Sequence, residues 1–371
     1  MAYRPGSDKI LLSIVVFLTV FGLVMVCSAS TIRAAEMDKM PYHFFVRQLV
    51  FAVAGVSALV GLMRMDYHKL QRPKVFLTIL SVVGLMLVAV FFQPGRGSGG
   101  DIHRWLDLGP ISIQPSEFAK LAVVLFLAWF LHDPRNDIRQ PVQLLMPGVV
   151  LGFFAGLVLV GKDLGQTVML CLVSGVLMVI AGLRWRWIGG IALLSLPAFY
   201  FWVFKVAYRW DRIETFLHPE RDPQGDGYQI MQSLIAVGSG GLSGLGLGGS
   251  KQKFLFLPEA HNDFIFAVIG EEWGILGTTV VLVAFLFFFY RGMKIALNAH
   301  DRFGFYLAAG ITLMVVLQGF ISISMVLAML PTKGIALPFI SYGGSSLLLN
   351  LAAAGILLNL SYQNKIDEAA A

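Results

Sequence analysis

The chain has 371 residues, of which 57% are hydrophobic and 13% charged, and its formal net charge is +6 at neutral pH. An ordinary soluble domain carries about 25% charged residues, so a soluble globular fold is excluded, and the absence of a basic run excludes a nucleic-acid binder. Cys27 and Cys171 both lie in apolar stretches, which excludes a disulfide framework and a cysteine-based metal site.

Apolar runs long enough to cross a bilayer recur along the chain. They fall at 10–30, 44–63, 75–92, 116–131, 143–160, 165–183, 187–206, 263–290, 305–330 and 338–360. This predicts an all-α, polytopic membrane protein of about ten transmembrane helices, forming a single integral membrane domain over 1–371. The first run lacks a small-residue cleavage site and reads as a retained anchor. With the N-terminus in the cytoplasm, the cytoplasmic segments hold fourteen Lys and Arg and the short outer loops hold seven. That bias predicts both termini inside and a long extracytoplasmic loop, 207–262, between spans seven and eight.

Two outer segments interrupt the spans. In 93–120, Arg104, Trp105 and Asp107 place a cation, an aromatic and a carboxylate at the interface, where Trp is commonly a belt residue. Pro115 and Ser116 predict a helix start, with Ser116 as N-cap. Glu117 and Lys120 then share one helical face one turn in. They read either as a self-neutralising ion pair between helices or as a cation offered to an anionic lipid headgroup, and the residues alone leave both open. Asp163, in a short turn beside Lys162, predicts an N-cap for the sixth span.

In the 207–262 loop, Arg209, Arg212 and Arg221 alternate with acids before the glycine-rich GSGGLSGLGLGGSKQK. That run lacks the GK[ST] of a phosphate loop and predicts a mobile cover over substrate, closed by Lys251 and Lys253. Glu259, His261 and Asp263 follow within five residues, at the mouth of a long apolar helix. Ionisable groups at a membrane boundary are costly to desolvate and usually functional. Ala267, Gly270 and Gly274 predict a small-residue stripe below Asp263, suited to close packing or to a furrow for a lipid tail. Glu271 and Glu272, about 12 Å deeper by helix rise, read as structural partners for a buried arginine or backbone groups. PTKGIALPFISYGGSS at 331–346, which contains Ser341, carries the punctuation that lines a polar cavity at membrane depth.

These blocks resemble the SEDS family, the shape, elongation, division and sporulation polymerases of bacterial cell-wall synthesis. The matching stretches are RWLDLG with QPSEFAK (Arg104–Lys120), KDLGQT (Lys162–Thr167), the glycine-rich run through GEEWG (Gly238–Gly274) and the block at Pro331–Ser346. PTKG followed by SYGGSSL is most similar to the division members, with the elongation members second. Asn262, where Thr is usual, and Gly161-Lys162, where Gln-Pro is common, depart from the pattern.

The resemblance implies a peptidoglycan glycosyltransferase that polymerises lipid II, a disaccharide-pentapeptide on undecaprenyl pyrophosphate. Asp263 is then the catalytic base, and Lys120 with Arg104 or Lys253 faces the pyrophosphate. Glu117 and Asp163 orient the cations or a divalent cation, the metal question staying open. Trp105, Glu259, His261 and Ser341 complete the substrate-binding set. The implied partners are lipid II, membrane lipid, a class B penicillin-binding transpeptidase and divisome proteins, and the implied place is the bacterial cytoplasmic membrane at the division septum. A lipid II flippase is the rival from another class. It ranks second because the acids cluster on one face and no internal repeat is found. A scaffold that only recruits the transpeptidase ranks third.

Overall fold

The structure is a computed structural model describing residues 7–95, 102–109, 111–187, 189, 190, 193, 214–221, 225–254, 256–332 and 334–370. Most of the seventh expected span (187–206), together with Arg209, Arg212 and Lys333, lies outside the described residues. The helices that carry the fold are α1 (Lys9–Glu36), α2 (His43–Arg64), α3 (Pro73–Ala89), α4 (Pro115–His132), α5 (Leu145–Val160), α6 (Leu164–Ile180), α7 (Asp226–Ser239), α8 (Ile265–Leu297), α9 (Arg302–Val326) and α10 (Gly344–Ala370). Among the described residues, eight helical stretches are long and apolar enough to cross a membrane: α1, α2, α4, α8, α9 and α10, with Pro73–Phe92 (α3 and the 3-10 turn after it) and Pro141–Val160 (α5 and the 3-10 turn before it), while α6 is a shorter apolar helix. A two-stranded antiparallel hairpin, β1 (Leu106–Leu108) and β2 (Ile111–Ile113), precedes α4, with Leu106 opposite Ile113.

The apolar stretches of α4, α9 and α10 are 78%, 78% and 89% buried inside the protein, against 22% for α2 and α5. The first three therefore form the centre of the bundle. α4 packs on α9, α9 on α8, and α10 on α2. Helix–helix burial in a bilayer gains from close fit rather than from escape from water, and the centre shows that fit. A Cβ on Gly310 of α9 would come 2.5 Å from the Val124 side chain of α4.

Local chemistry sets the helix starts. Pro115 is the first residue of α4, where its missing N–H costs nothing. Gln114 is the cap position and provides no side-chain cap, so Ser116 is not the N-cap the sequence predicts. Asp163 does cap α6, accepting from the Gln166 backbone amide. The last span begins at Gly344, six residues later than expected, because 334–343 stays non-helical. Pro338 and the left-handed Phe339 (φ 65°) fit that irregular path.

α8 begins two residues after Asp263 and breaks at Gly274, whose φ of 65° and ψ of −160° suit glycine alone. The break receives the glycine-rich run. Leu245 N and Gly246 N donate to the carbonyls of Glu271 and Glu272 (both 3.0 Å), while Ile275 N and Leu276 N donate to those of Gly241 and Leu242. The run is thus docked on α8, not a mobile cover, and the expected loop contains α7. Of the two readings of the small-residue stripe, close packing holds at Gly270 and Gly274: Val237 of α7 lies against Gly270, and Leu242 and Gly244 lie against Gly274, leaving no furrow there.

Candidate active site

Four elements converge at one end of the bundle: the segment 102–105 before the hairpin, the start of α4, the α5–α6 turn, and the turn before α8. Segment 102–105 lies on the α5–α6 turn so closely that a Cβ on Gly161 would come 2.4 Å from the carbonyl oxygen of His103. The Arg104 guanidinium donates to the Lys162 carbonyl across that contact. Its Nε is buried without a hydrogen-bond partner. Trp105 is half-buried in the same segment.

Asp163 is buried and richly bonded. Its Oδ2 accepts from Gln114 Nε2 (2.8 Å) and from Ser116 Oγ (3.0 Å), and its Oδ1 accepts from Gln166 N (3.4 Å). Burial pushes its carboxyl above the ordinary value, opposed by the charge of Arg104 and by these hydrogen bonds.

Asp263 stands in the turn Glu259–Phe264 and keeps part of its surface open. Its pKa is pushed up to about 7, first by burial and then by the carboxylates of Glu259 and Asp163, with Arg104 pulling the other way. Asp163, Arg104 and Asp263 therefore share one electrostatic field. A carboxyl poised near neutrality is suited to taking up and releasing a proton. Gly334 lies against this carboxyl, where a Cβ would come 3.2 Å from Oδ2, so any side chain at 334 would crowd the acid.

The turn that carries Asp263 is braced from below. Ser341 Oγ donates to the Asn262 carbonyl (2.7 Å) and accepts from Leu337 N (2.8 Å). Tyr342 N donates to the His261 carbonyl (3.0 Å). The His261 ring sits 4.7 Å from that of Phe44 and 5.6 Å from that of Tyr342. Burial lowers its pKa, so the imidazole is neutral at pH 7. Glu259 is exposed and accepts from Asn262 Nδ2 (2.6 Å). Ser341 and His261 hold the acid in place, and Glu259 tunes its charge.

Lys120 is only 1% exposed. Its ammonium donates to Glu117 Oε2 (2.9 Å) and to Gln318 Oε1 of α9. Glu117 Oε1 accepts from Gln166 Nε2 (2.6 Å), and Gln318 Nε2 donates to the Ala336 carbonyl (2.8 Å), two residues from Gly334. Of the two sequence readings, the structure holds the ion pair: Lys120 is enclosed within the bundle. It joins the site as one link in a continuous path of contacts from Asp163 through Gln166, Glu117, Lys120 and Gln318 to the irregular segment beside Asp263.

Lys253 is placed elsewhere. Its ammonium pairs with Glu272 (2.8 Å) and donates to Ser28 of α1 (3.1 Å), all at the α8 break. Glu271 accepts from Ser250 Oγ, Lys251 N (2.9 Å) and Gln252 N (3.3 Å). Glu271 takes the backbone groups the sequence predicts, whereas the cation on Glu272 is Lys253 rather than an arginine, and Lys253 is spent there.

Sequence reasoning missed the glutamines. Gln48, Gln166 and Gln318 lie in otherwise apolar helices, and each bonds a site element; Gln48 donates to the Ser341 carbonyl (3.0 Å) and accepts from Gly343 N (3.1 Å). An amide inside an apolar span was the available signal. Among the described residues, no group of three or more His, Cys, Asp or Glu is arranged to hold a metal ion.

Residues 9–366 match the model of the FtsW, RodA and SpoVE family, described as "Cell cycle protein". The chain is 42% identical over 355 residues to the "Probable peptidoglycan glycosyltransferase FtsW" of Trichlorobacter lovleyi, covering 95% of this chain and 93% of that one. It is 41% identical over 360 residues to "Stage V sporulation protein E" of Bacillus subtilis, covering 96% and 98%. Among solved structures it is similar to a chain of a peptidoglycan synthase complex described as coordinating polymerization and crosslinking. There the TM-score is 0.81 at 27% identity, over 97% of this chain and 99% of that one. The fold is also that of the rod shape determining protein RodA of Thermus thermophilus, with TM-score 0.71 at 24% identity over 97% and 98%. With its motifs, helix order and nearly full-length relatives in agreement, this chain belongs to the FtsW/RodA/SpoVE family.

Proposed function

We propose that this protein is a peptidoglycan glycosyltransferase that polymerises lipid II on the outer face of the cytoplasmic membrane, in septal wall synthesis. The observation that carries the reading is the Asp263 carboxyl, poised near pH 7 where an apolar helix meets the polar end of the bundle, with Arg104 and Asp163 in the same field. The fourteen-to-seven excess of Lys and Arg at the opposite end supports the outward orientation.

The transfer follows from these groups. An acceptor sugar hydroxyl loses its proton to Asp263 as its oxygen bonds the anomeric carbon of the donor. The bond from that carbon to the lipid diphosphate breaks, and the diphosphate leaves with the electron pair. Proton removal by a positioned carboxylate contributes about 10²–10⁴-fold. Arg104 is a half-exposed cation of the site, and its guanidinium charge is placed to stabilise the departing diphosphate. Asp163 fixes the α4 and α6 starts and keeps Arg104 close. Lys120 and Glu117 hold the frame from within.

The likeness to division-type relatives supports a septal role. The neighbouring synthase complex supports a class B penicillin-binding transpeptidase as partner, which would crosslink the strand made here. The test is polymerisation of labelled lipid II by the purified protein in detergent, where no membrane remains to flip across. Glycan strands made by the native protein and lost in Asp263→Asn support the assignment. An Asp263→Asn protein that polymerises at the native rate would falsify it.

A further inference from the structure

The outer hydrocarbon boundary can be placed from two helices independently. A hydrocarbon core of about 30 Å takes about 20 helical residues. Arg291 binds Asp8 at the end of the bundle opposite the site. Counting about 20 residues from Arg291 along α8 reaches Glu271, and the same count from Lys9 along α1 reaches about Ser28. Ser28 Oγ and Glu272 are hydrogen-bonded to each other (2.7 Å), so the two counts end at one level.

The glycine-rich bend lies at that level, because its backbone hydrogen bonds go to Glu271, Glu272, Ile275 and Leu276. Below it α8 presents Trp273, Ile275 and Leu276 at 40%, 54% and 64% exposure, a face that in a spanning helix meets lipid. The bend continues this face. Leu242, Leu245 and Leu247 are exposed there, and α7 adds Leu234 and Ile235 while its Ser233 and Ala236 face inward, fully buried. No charged side chain occurs between Asp226 and Lys251. The irregular backbone has its hydrogen bonds met by α8, the condition for entering a membrane boundary.

We propose that residues 226–254 form an interfacial element that lies on the outer leaflet, with the leucines of the bend inserted among the acyl chains beside Trp273. Lys251, exposed at its end, reaches the phosphates. The partner is the bilayer, because this apolar surface runs without a break into the lipid-facing side of α8. The element anchors the chain that leads into Asp263, and it brings the site down to the surface from which a lipid-linked substrate enters. The inference concerns placement alone and does not require the glycosyltransferase reading.

The test uses the full chain in phospholipid nanodiscs with Cys27→Ser and Cys171→Ser, carrying an environment-sensitive fluorophore at Leu245→Cys or Leu247→Cys. Leu276→Cys gives the lipid reference and Glu220→Cys the solvent reference. The 245 and 247 probes are expected to lose most of their emission to doxyl-labelled phospholipid and to resist aqueous iodide, as 276 does. Quenching by iodide alone would place the bend in water. Quenching by neither would place it under protein, a second copy included. Either result overturns the proposal. Should the cysteine-free chain fail to fold, a photoactivatable phospholipid applied to the unaltered protein must label 242–254; labelling confined to the spanning helices overturns it equally.

Discussion

Turnover with Asp263 as the base must follow the ionisation of one carboxyl across neutral pH. With Asp263 titrating near 7, the ionised fraction rises from about 9% at pH 6 to about 91% at pH 8. Turnover limited by that base therefore climbs about tenfold over those two units. Three causes hold the value up, and one can be removed without disturbing the fold. Glu259 is exposed, so Glu259→Gln leaves the turn intact while deleting a like charge. Its acid limb shifts to lower pH, since the carboxylate of Asp263 loses a repulsive neighbour. The linkage to stability has the opposite sense from a salt-bridged acid. A raised folded value gives stability that is full below the unfolded value near 4 and is lost as pH rises through about 7. The active, ionised form is thus the strained one, and Asp263→Asn should melt above the native protein at pH 8 while turning over 10²–10⁴-fold more slowly. Initial rates of fluorescent lipid II polymerisation from pH 5.5 to 9, with thermal unfolding in the same detergent, measure both. A flat profile between pH 6 and 8, or an Asn variant within threefold of native, would mean that Asp263 is not the base.

The frame around the site responds to substitution in ways that melting and exchange measurements resolve. Lys253→Ala leaves Glu272 buried without its cation and should cost about 3–5 kcal/mol, whereas Lys253→Met with Glu272→Leu recovers most of that loss; melting temperatures of the single and double variants decide it. A Cβ at Gly240 would come 1.9 Å from the Gly270 carbonyl oxygen, so Gly240→Ala should lift the bend off α8, lowering the melting temperature and opening the 240–250 amides to hydrogen exchange. Gln318→Leu strands the Ala336 carbonyl and one bond of Lys120. A loss of about 1–3 kcal/mol is expected, with polymerisation falling further than stability because Gly334 then loosens against Asp263. Equal melting temperatures would remove that link.

The spans were readable because a bilayer leaves the backbone few choices: an apolar run of the right length must be a helix. The local acids were readable too. Asp163 caps α6 because a short side chain before a helix start can reach its amides. What failed was local reading of tertiary demand. Ser116 looks like a cap, yet its hydroxyl is taken by Asp163, forty-seven positions later. The glycine-rich run looks mobile because glycine permits motion, but here glycine permits contact. Gly244, at φ 78°, lies where a Cβ would meet the Glu272 carbonyl at 2.2 Å. Lys253 looked like a diphosphate ligand because its neighbour in sequence is the acid cluster. Its partner is Glu272, brought close only by the docked bend. The break at Gly274 has no local cause visible in the sequence, since a glycine inside an apolar helix is usually tolerated.

Of the three cations the sequence offers to the departing diphosphate, Lys253 is spent on Glu272, and the other two differ in how they are held. Lys120 is enclosed and paired on both sides, so moving it to a ligand would strand Glu117 and Gln318 in the bundle. Arg104 is half-buried, holds one carbonyl, keeps Nε unpartnered, and acts on the field of both Asp163 and Asp263. The consequences differ in kind. Arg104→Ala removes a charge that lowers Asp263, so its acid limb must move to higher pH as turnover falls. Arg104→Lys keeps the charge and should hold the limb in place, yet without the planar fork it should still lose rate. Lys120→Met should show the reverse pattern: a large loss of melting temperature from the unpaired Glu117, and in the fraction that remains folded an acid limb at its native position. Rate–pH profiles of the three variants, each beside its melting curve, make the comparison. If Lys120→Met moves the limb while Arg104→Ala leaves it fixed, the diphosphate belongs to Lys120, and the ion pair seen here must open before substrate can bind.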